Sequence, residues 1–212
     1  MKGTPLVIEP RQERSRRTLD RLLDAAQQVL AESGAEGATV PRIAERAGMS
    51  VGVVDRRFRD KDALLRAVYE RFFETTLEAN RAALDPARWR RKSARSILAS
   101  VVRGMVRGHA MHRALLRALI VFADTHADAE FRNRIVELNA AAAAQVLTLL
   151  QARRSQIAHP ELERAVGFVL IVVASVLSRW VHPDSDRLLP YHDETALSDE
   201  LVAMAARYLG VA

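Results

Sequence analysis

Residues 39–61 (TVPRIAERAGMSVGVVDRRFRDK) gather side chains suited to touching a phosphate-rich polymer. Ser50 offers a hydroxyl at the start of a predicted short helix, whose free first-turn amides can also take a phosphate. Val51, Gly52 and Val53 follow: valines can lie against thymine methyls, and a glycine admits close backbone approach. Arg56 and Arg57 can reach guanine or phosphate, and Lys61 can clamp a phosphate at the start of the next helix. Thr39 and Arg42 belong to the same candidate surface. DNA recognition needs phosphate donors to position the protein, an element that enters the major groove, and side chains that reach base edges. This stretch offers all three. The plainer alternative is that Arg56 and Arg57 only solubilise a small helix.

The elements that must position these groups are legible around them. Thr39 is the expected N-cap of a first helix with Pro41 in its first turn, where the missing N–H costs nothing. Ile43, Ala44 and Ala47 give that helix a small apolar face, and Gly48 can adopt the left-handed conformation that ends it. Ser50 is the second expected N-cap, and the pattern predicts a helix over residues 51–58 with Val54 and Phe58 on one face. Helix, Gly-containing turn and second helix with basic residues make a helix-turn-helix. Upstream, Leu19, Leu22, Leu23, Ala26, Val29 and Leu30 form a helical stripe over residues 14–33, with Gly34 as its stop.

Leu22-x2-Ala25-Ala26-x2-Val29-Leu30-x3-Gly34, Thr39-x3-Ile43-Ala44-x2-Ala47-Gly48-Met49-Ser50-x-Gly52 and Phe58-x2-Lys61-x2-Leu64 together resemble the signature of TetR-family transcriptional regulators, across about residues 14–65. The resemblance implies a homodimeric, mostly repressing protein that binds a pseudo-palindromic double-stranded DNA operator. It further implies a divergent helical C-terminal domain that binds a small-molecule effector and dimerises through its last two long helices. Two positions depart from the pattern. Asp55 stands where the family usually has a backbone-contacting tyrosine, and Arg57 where it usually has histidine. A carboxylate beside phosphate is repelled unless it pairs with Arg56, Arg57 or Arg59, or accepts from a cytosine amine. Asp55 therefore keeps open an alternative: a ligand-binding or scaffold protein on the same fold with weakened DNA binding.

The rest of the chain reads as all-α, without alternating strands or internal repeats. Residues 1–13 read as a flexible arm, 14–60 as the DNA-binding domain, and 61–212 as the effector-binding and dimerisation domain. Asp60 can cap a long helix over residues 61–84, which joins the headpiece without a flexible linker. Asp85-Pro86 breaks it, and residues 88–95 (RWRRKSAR) form the most basic segment, read as a solvated interhelix loop and helix start, with a secondary phosphate contact or an acidic-partner patch as the alternative. Two helices broken near Gly108 follow, then a long Ala-rich helix over residues 127–154, one over 160–181, a polar loop over 184–192, and a last helix over 195–209.

At 212 residues and 49% hydrophobic, the chain can bury a substantial core. A net charge of +6 suits nucleic acid. Zero cysteines exclude disulfides and thiolate metal sites and fit a cytoplasmic setting; the N-terminal residues lack the apolar core of a secretory signal. The apolar run over residues 165–177 is shorter than the roughly 18 residues needed to span a bilayer, so no membrane partner is expected. No Gly-rich phosphate loop appears, no nucleophile sits by a base, and neither a cofactor nor an enzymatic activity is expected. His109 and His112 could share a metal with Asp124, His126 or Asp128, but ordinary surface or pocket histidines are the expectation. Trp89, Met105, His109, Leu116, Phe122, Asn139 and Trp180 could line an effector cavity, with simple core packing the alternative for each. Phe168, Leu170, Ile171, Met204 and Tyr208 fit burial in a dimer interface.

Overall fold

A computed structural model describes residues 9–125, 129–182 and 193–211. The regular elements of the described residues are all helices, with one isolated antiparallel bridge between Ile157 and Val211. They divide into two compact units between Arg71 and Phe72.

In the first unit, α1 (Glu9–Gly37) kinks at Gly34. Residues 9–13, expected in a loose arm, are helical. Pro10 falls in the first turn, where a proline is tolerated, and Glu13 pairs with Arg17 one turn on. Residues 1–8 lie outside the described residues. The stripe on α1 buries Leu22, Leu23, Ala25, Ala26, Val29 and Leu30. Against it pack α2 (Val40–Ala47), through Ile43, Ala44 and Ala47, and α3 (Val51–Asp55), through Val54. Gly48 has φ 65°, ψ 40°, and its amide closes the α2 end onto Ala44 and Glu45.

The second of these helices is shorter than the expected 51–58 span. The Arg57 amide turns back onto the Val54 carbonyl at 2.8 Å, a 3-10 closure, and the Phe58 amide shares that acceptor at 2.9 Å. Arg56 and Arg57 thus lie in the turn after α3. Neither Thr39 nor Ser50 caps with its side chain, although both hold the extended backbone of an N-cap. Asp60 does cap: it accepts from the Ala63 amide at 2.8 Å and opens α4 (Lys61–Ala83). The start of α4 gives Leu64, Leu65 and Val68 to the first core, and Arg71 ties it to Asp24 at 2.8 Å.

The second unit contains the end of α4, then α5 (Pro86–Trp89), α6 (Ala94–Met111), α7 (Arg113–Thr125), α8 (Ala129–Gln151), α9 (Leu162–Val181) and α10 (Glu194–Leu209). The helix α5 falls where a loop was expected, because Asp85 accepts from the Ala87 amide and Pro86 suits a first turn. The break between α6 and α7 sits at His112 and not at Gly108. His112 leaves the helical region at φ −107°, ψ 21°, and its ring packs edge-on against Phe72 at 5.2 Å. The loop expected over residues 184–192 lies outside the described residues.

The core runs through α6, α8, α9 and α10, with Ile97, Val102, Leu149, Val169, Leu177 and Leu201 among its buried residues. The 20 residues of α9 include a window of mean hydropathy 1.8, long and apolar enough to cross a membrane by composition alone. Eight of them are buried within this helical core. Arginines close its C-terminus: Arg113 donates to Trp180 O at 2.8 Å and stacks over its ring, while Arg117 donates to Val181 O at 2.9 Å.

Gly210 ends α10 at φ 62°, and the Ala158 amide donates to its carbonyl at 3.1 Å. A Cβ there would meet the Ala158 Cβ at 2.7 Å. Gly210→Ala should therefore lower stability by at least the roughly 1–2 kcal/mol of a left-handed non-glycine residue. An unchanged thermal midpoint would show that this closure does not hold the helix ends.

Candidate DNA-binding surface and effector region

The helix-turn-helix is held from behind by charged contacts with α1. Arg46 forks onto the Glu32 carboxylate at 2.6 and 2.7 Å, and that hydrogen bond holds Glu32 below its usual range. Arg21 donates to Ala47 O at 2.8 Å, beside the Gly48 turn. These residues keep the far side of the motif occupied. Thr39, Arg42, Ser50, Val51, Gly52, Asp55, Arg56 and Arg57 are exposed, whereas Val53 and Lys61 are half-buried.

The uncommitted groups are informative. The hydroxyls of Thr39 and Ser50 make no cap bond. Gly52 has room for a side chain, since an added Cβ would meet only an Arg56 nitrogen at 3.9 Å. A glycine inside a helix costs about 1 kcal/mol relative to alanine, and nothing within the chain requires one here. Arg56 has no partner within the described residues. Arg42 makes one bond, to Gly37 O at 3.1 Å, and Lys61 donates to Ala35 O at 2.6 Å.

The expected pairing of Asp55 with a neighbouring arginine does not occur. Arg59 pairs instead with Asp60 at 2.8 Å. The Ala63 amide first, and then Arg59, hold the Asp60 carboxyl below its usual range. Arg57 reaches Ser15, donating to its carbonyl at 3.2 Å and its hydroxyl at 3.0 Å. Because α3 ends at Asp55, no helical turn remains to bring a later arginine alongside. The Arg57–Ser15 contact also brings the start of α1 beside this surface, with Arg14 and Arg16 exposed on either side of Ser15. The basic run at residues 14–17 was the available signal for them.

The expected effector residues separate into groups. Trp180 is buried in the main core, with Trp89, Met105 and Leu116 packed against it. Phe122 belongs to an aromatic cluster with Phe131 at 5.4 Å, and Phe131 meets Phe73 at 5.6 Å. Asn139 is exposed on α8 and lines no interior space, because the inward stripe of α8 runs through Phe131, Leu138 and Leu149. On that stripe the sequence reading missed Gln145, whose side-chain oxygen is buried without a donor. A lone amide inside an apolar repeat was its signal. Among the described residues no group of three His, Asp or Glu converges as a metal site; His126 and Asp128 lie outside them. Of the interface candidates, Phe168, Ile171 and Tyr208 are exposed, with the Phe168 and Tyr208 rings 5.2 Å apart, while Leu170 and Met204 pack against the core.

The fold and this surface define an all-α protein with an N-terminal helix-turn-helix. Residues 22–68 match the family model described as bacterial regulatory proteins, tetR family. In that stretch the chain is 45% identical over 47 residues to the HTH-type transcriptional regulator BetI of Escherichia coli, which is 22% of this chain and 24% of BetI. Residues 22–68 are therefore similar to the helix-turn-helix region of TetR-family regulators. The match thus spans about a quarter of the curated relatives' length. Beyond it, the fold is shared with a tetR-family regulatory protein from Rhodococcus RHA1, at TM-score 0.66 and 24% identity over 92% of this chain and 98% of that one. It is also shared with the transcriptional regulator FadR of Bacillus subtilis, solved with stearoyl-CoA, at TM-score 0.63 and 19% identity over 87% and 96%.

His109 generates a prediction about pH. Burial pushes its pKa below the usual 6.5, and the nearby His112 adds to this, while the 2.8 Å bond from Nδ1 to Met105 O works the other way. The fold favours the neutral ring, so the contribution is full above pH 6.5 and is lost as pH falls through the lowered value. His109→Gln should lose less stability than the parent on acidification below pH 6.5. Parallel acid-unfolding curves for the two proteins would contradict this.

Proposed function

We propose that this chain is a cytoplasmic, homodimeric DNA-binding transcriptional regulator, a repressor released from its operator by a small apolar or amphipathic ligand. Residues 14–60 serve as the DNA-binding domain and 61–212 as the effector and dimerisation domain. The observation that carries the reading is the set of groups left uncommitted on the outer side of the motif: the Thr39 and Ser50 hydroxyls, Arg56, and a glycine at residue 52. Phosphates take the hydroxyls and arginines, Arg14 and Arg16 included, while Val51, Gly52 and Val53 approach base edges. Lys61 and Arg42 act at the margins.

Dimerisation uses the exposed Phe168, Ile171 and Tyr208, with Leu170 and Met204 beneath them. An amphipathic effector is supported by the stearoyl-CoA bound to the Bacillus subtilis regulator. It enters the region of Met105, His109, Leu116, Phe122 and Trp180, with Trp89 at its margin, and donates to Gln145. An unpaired buried carbonyl costs about 1–3 kcal/mol, which a donor group on the ligand would offset. The helix α4 (Lys61–Ala83) is continuous across the division at Arg71 and Phe72, giving ligand binding a covalent path to the headpiece. A change in recognition-helix spacing would then lose the half-sites.

Asp55, exposed and without an ion pair, favours one second reading: a ligand-binding protein with weakened DNA affinity. Gel-shift titration with the chain's own upstream DNA separates them. The regulator reading expects a salt-sensitive shift, weakened about tenfold by Arg56→Ala and strengthened on all DNA by Asp55→Tyr. No salt-sensitive shift at any protein concentration would favour the second reading. Gln145→Met should raise the ligand-free thermal midpoint by removing the unpaired oxygen. A lowered midpoint would mean that the oxygen is already satisfied in the free protein.

A further inference from the structure

A cleft of about 730 Å³ opens within the second unit, between the α5–α6 link and the end of α8. One wall carries Arg90, Arg91, Lys92 and Ser93; the other carries Arg153 and Gln156. None of the residues assigned above to the effector cavity or to the helix-turn-helix surface lines it. We propose that this cleft binds the diphosphate group of a phosphorylated small molecule.

The charge is concentrated and largely unspent. The side chains of Arg90, Arg91 and Lys92 are exposed and make no hydrogen bond or ion pair within the described residues. Arg88 beside them differs, being committed to Ala82 O at 2.9 Å. Arg153 donates to Lys92 O at 3.1 Å, Leu149 O at 3.1 Å and Trp89 O. Those bonds pin the basic link against α8 and leave the Arg153 charge in the wall. No aspartate or glutamate occurs from residue 86 to 123, nor from 138 to 160, so both walls come from acid-free stretches.

Local structure adds to the same potential. Ser93, the N-cap of the 18-residue helix α6, lines the cleft, which sets the positive end of that helix beside it. Its first turn is fixed: Ala94 N donates to Gln156 Oε1 at 2.8 Å, and Ser96 N to Ser93 Oγ at 3.2 Å. Like charges held side by side repel, and a polyanion relieves that repulsion while gaining charge-assisted bonds. The volume lies in the range of small-molecule sites, well above the bulk of one phosphate. Three free cations in sequence suit an anion carrying several charges. The cleft stands whether or not the chain binds DNA.

Calorimetric titration of the full chain at physiological salt, with inorganic pyrophosphate and separately with ADP, tests the proposal. The expected result is saturable binding of pyrophosphate at one site per chain. It should weaken about tenfold or more in Arg90→Gln/Arg91→Gln/Lys92→Gln and remain in the equally exposed Arg81→Gln/Arg107→Gln control. Tighter binding of ADP would show that a nucleoside is read as well; equal affinity would show that the diphosphate alone is recognised. The proposal is overturned by an absence of saturable binding, or by equal loss in the control variant. It is also overturned if the triple variant loses affinity for DNA while the parent ignores pyrophosphate, which would assign the patch to the nucleic-acid backbone.

Discussion

Five residues of helix cannot hold themselves in water, yet α3 (Val51–Asp55) has only Val54 fully buried. Its orientation is therefore imposed from outside. Ile43, Ala44 and Ala47 seat α2 on α1, Arg46 clamps it to Glu32, and the Gly48 turn fixes how α3 leaves α2. Everything proposed for the outer surface depends on that inherited placement. A helix anchored by one valine can leave its other side chains free for a partner.

The same economy explains the chemistry of the surface. Arginines behind the motif are consumed: Arg21 on Ala47 O, Arg46 on Glu32, Arg71 on Asp24. Of those in front, Arg14, Arg16 and Arg56 are not, while Arg57 reaches across to Ser15 and Arg42 to Gly37 O. The hydroxyls of Thr39 and Ser50 could have capped their helices and do not. In the second unit the pattern recurs, with Arg113, Arg117 and Arg153 spent on helix-end carbonyls and Arg90, Arg91 and Lys92 unspent.

Much of this was legible in the sequence, and the reasons are physical. The all-α class and the helix-turn-helix follow from strong 3.6-residue patterns and from Gly48 and Asp60, whose roles are local. Long-range contacts were not legible. No local rule places Arg57 on Ser15, 42 positions away, or lets His112 rather than Gly108 end a helix because Phe72 packs against it. The pairing expected for Asp55 failed because it assumed a longer α3. The effector set mixed core and surface positions, since periodicity on α8 cannot distinguish a packed stripe from a lined cavity. Gln145 was the residue on that stripe whose chemistry set it apart.

Hydroxyl-radical footprinting of the bound protein on its own upstream DNA addresses the central claim most directly. The account predicts two protected patches on one face of the duplex, centred about 34–36 Å apart or a multiple of that, as a two-fold pair of α3 helices in successive major grooves requires. A shift without paired protection, or protection confined to the minor groove, would contradict the role assigned to Val51, Gly52 and Val53.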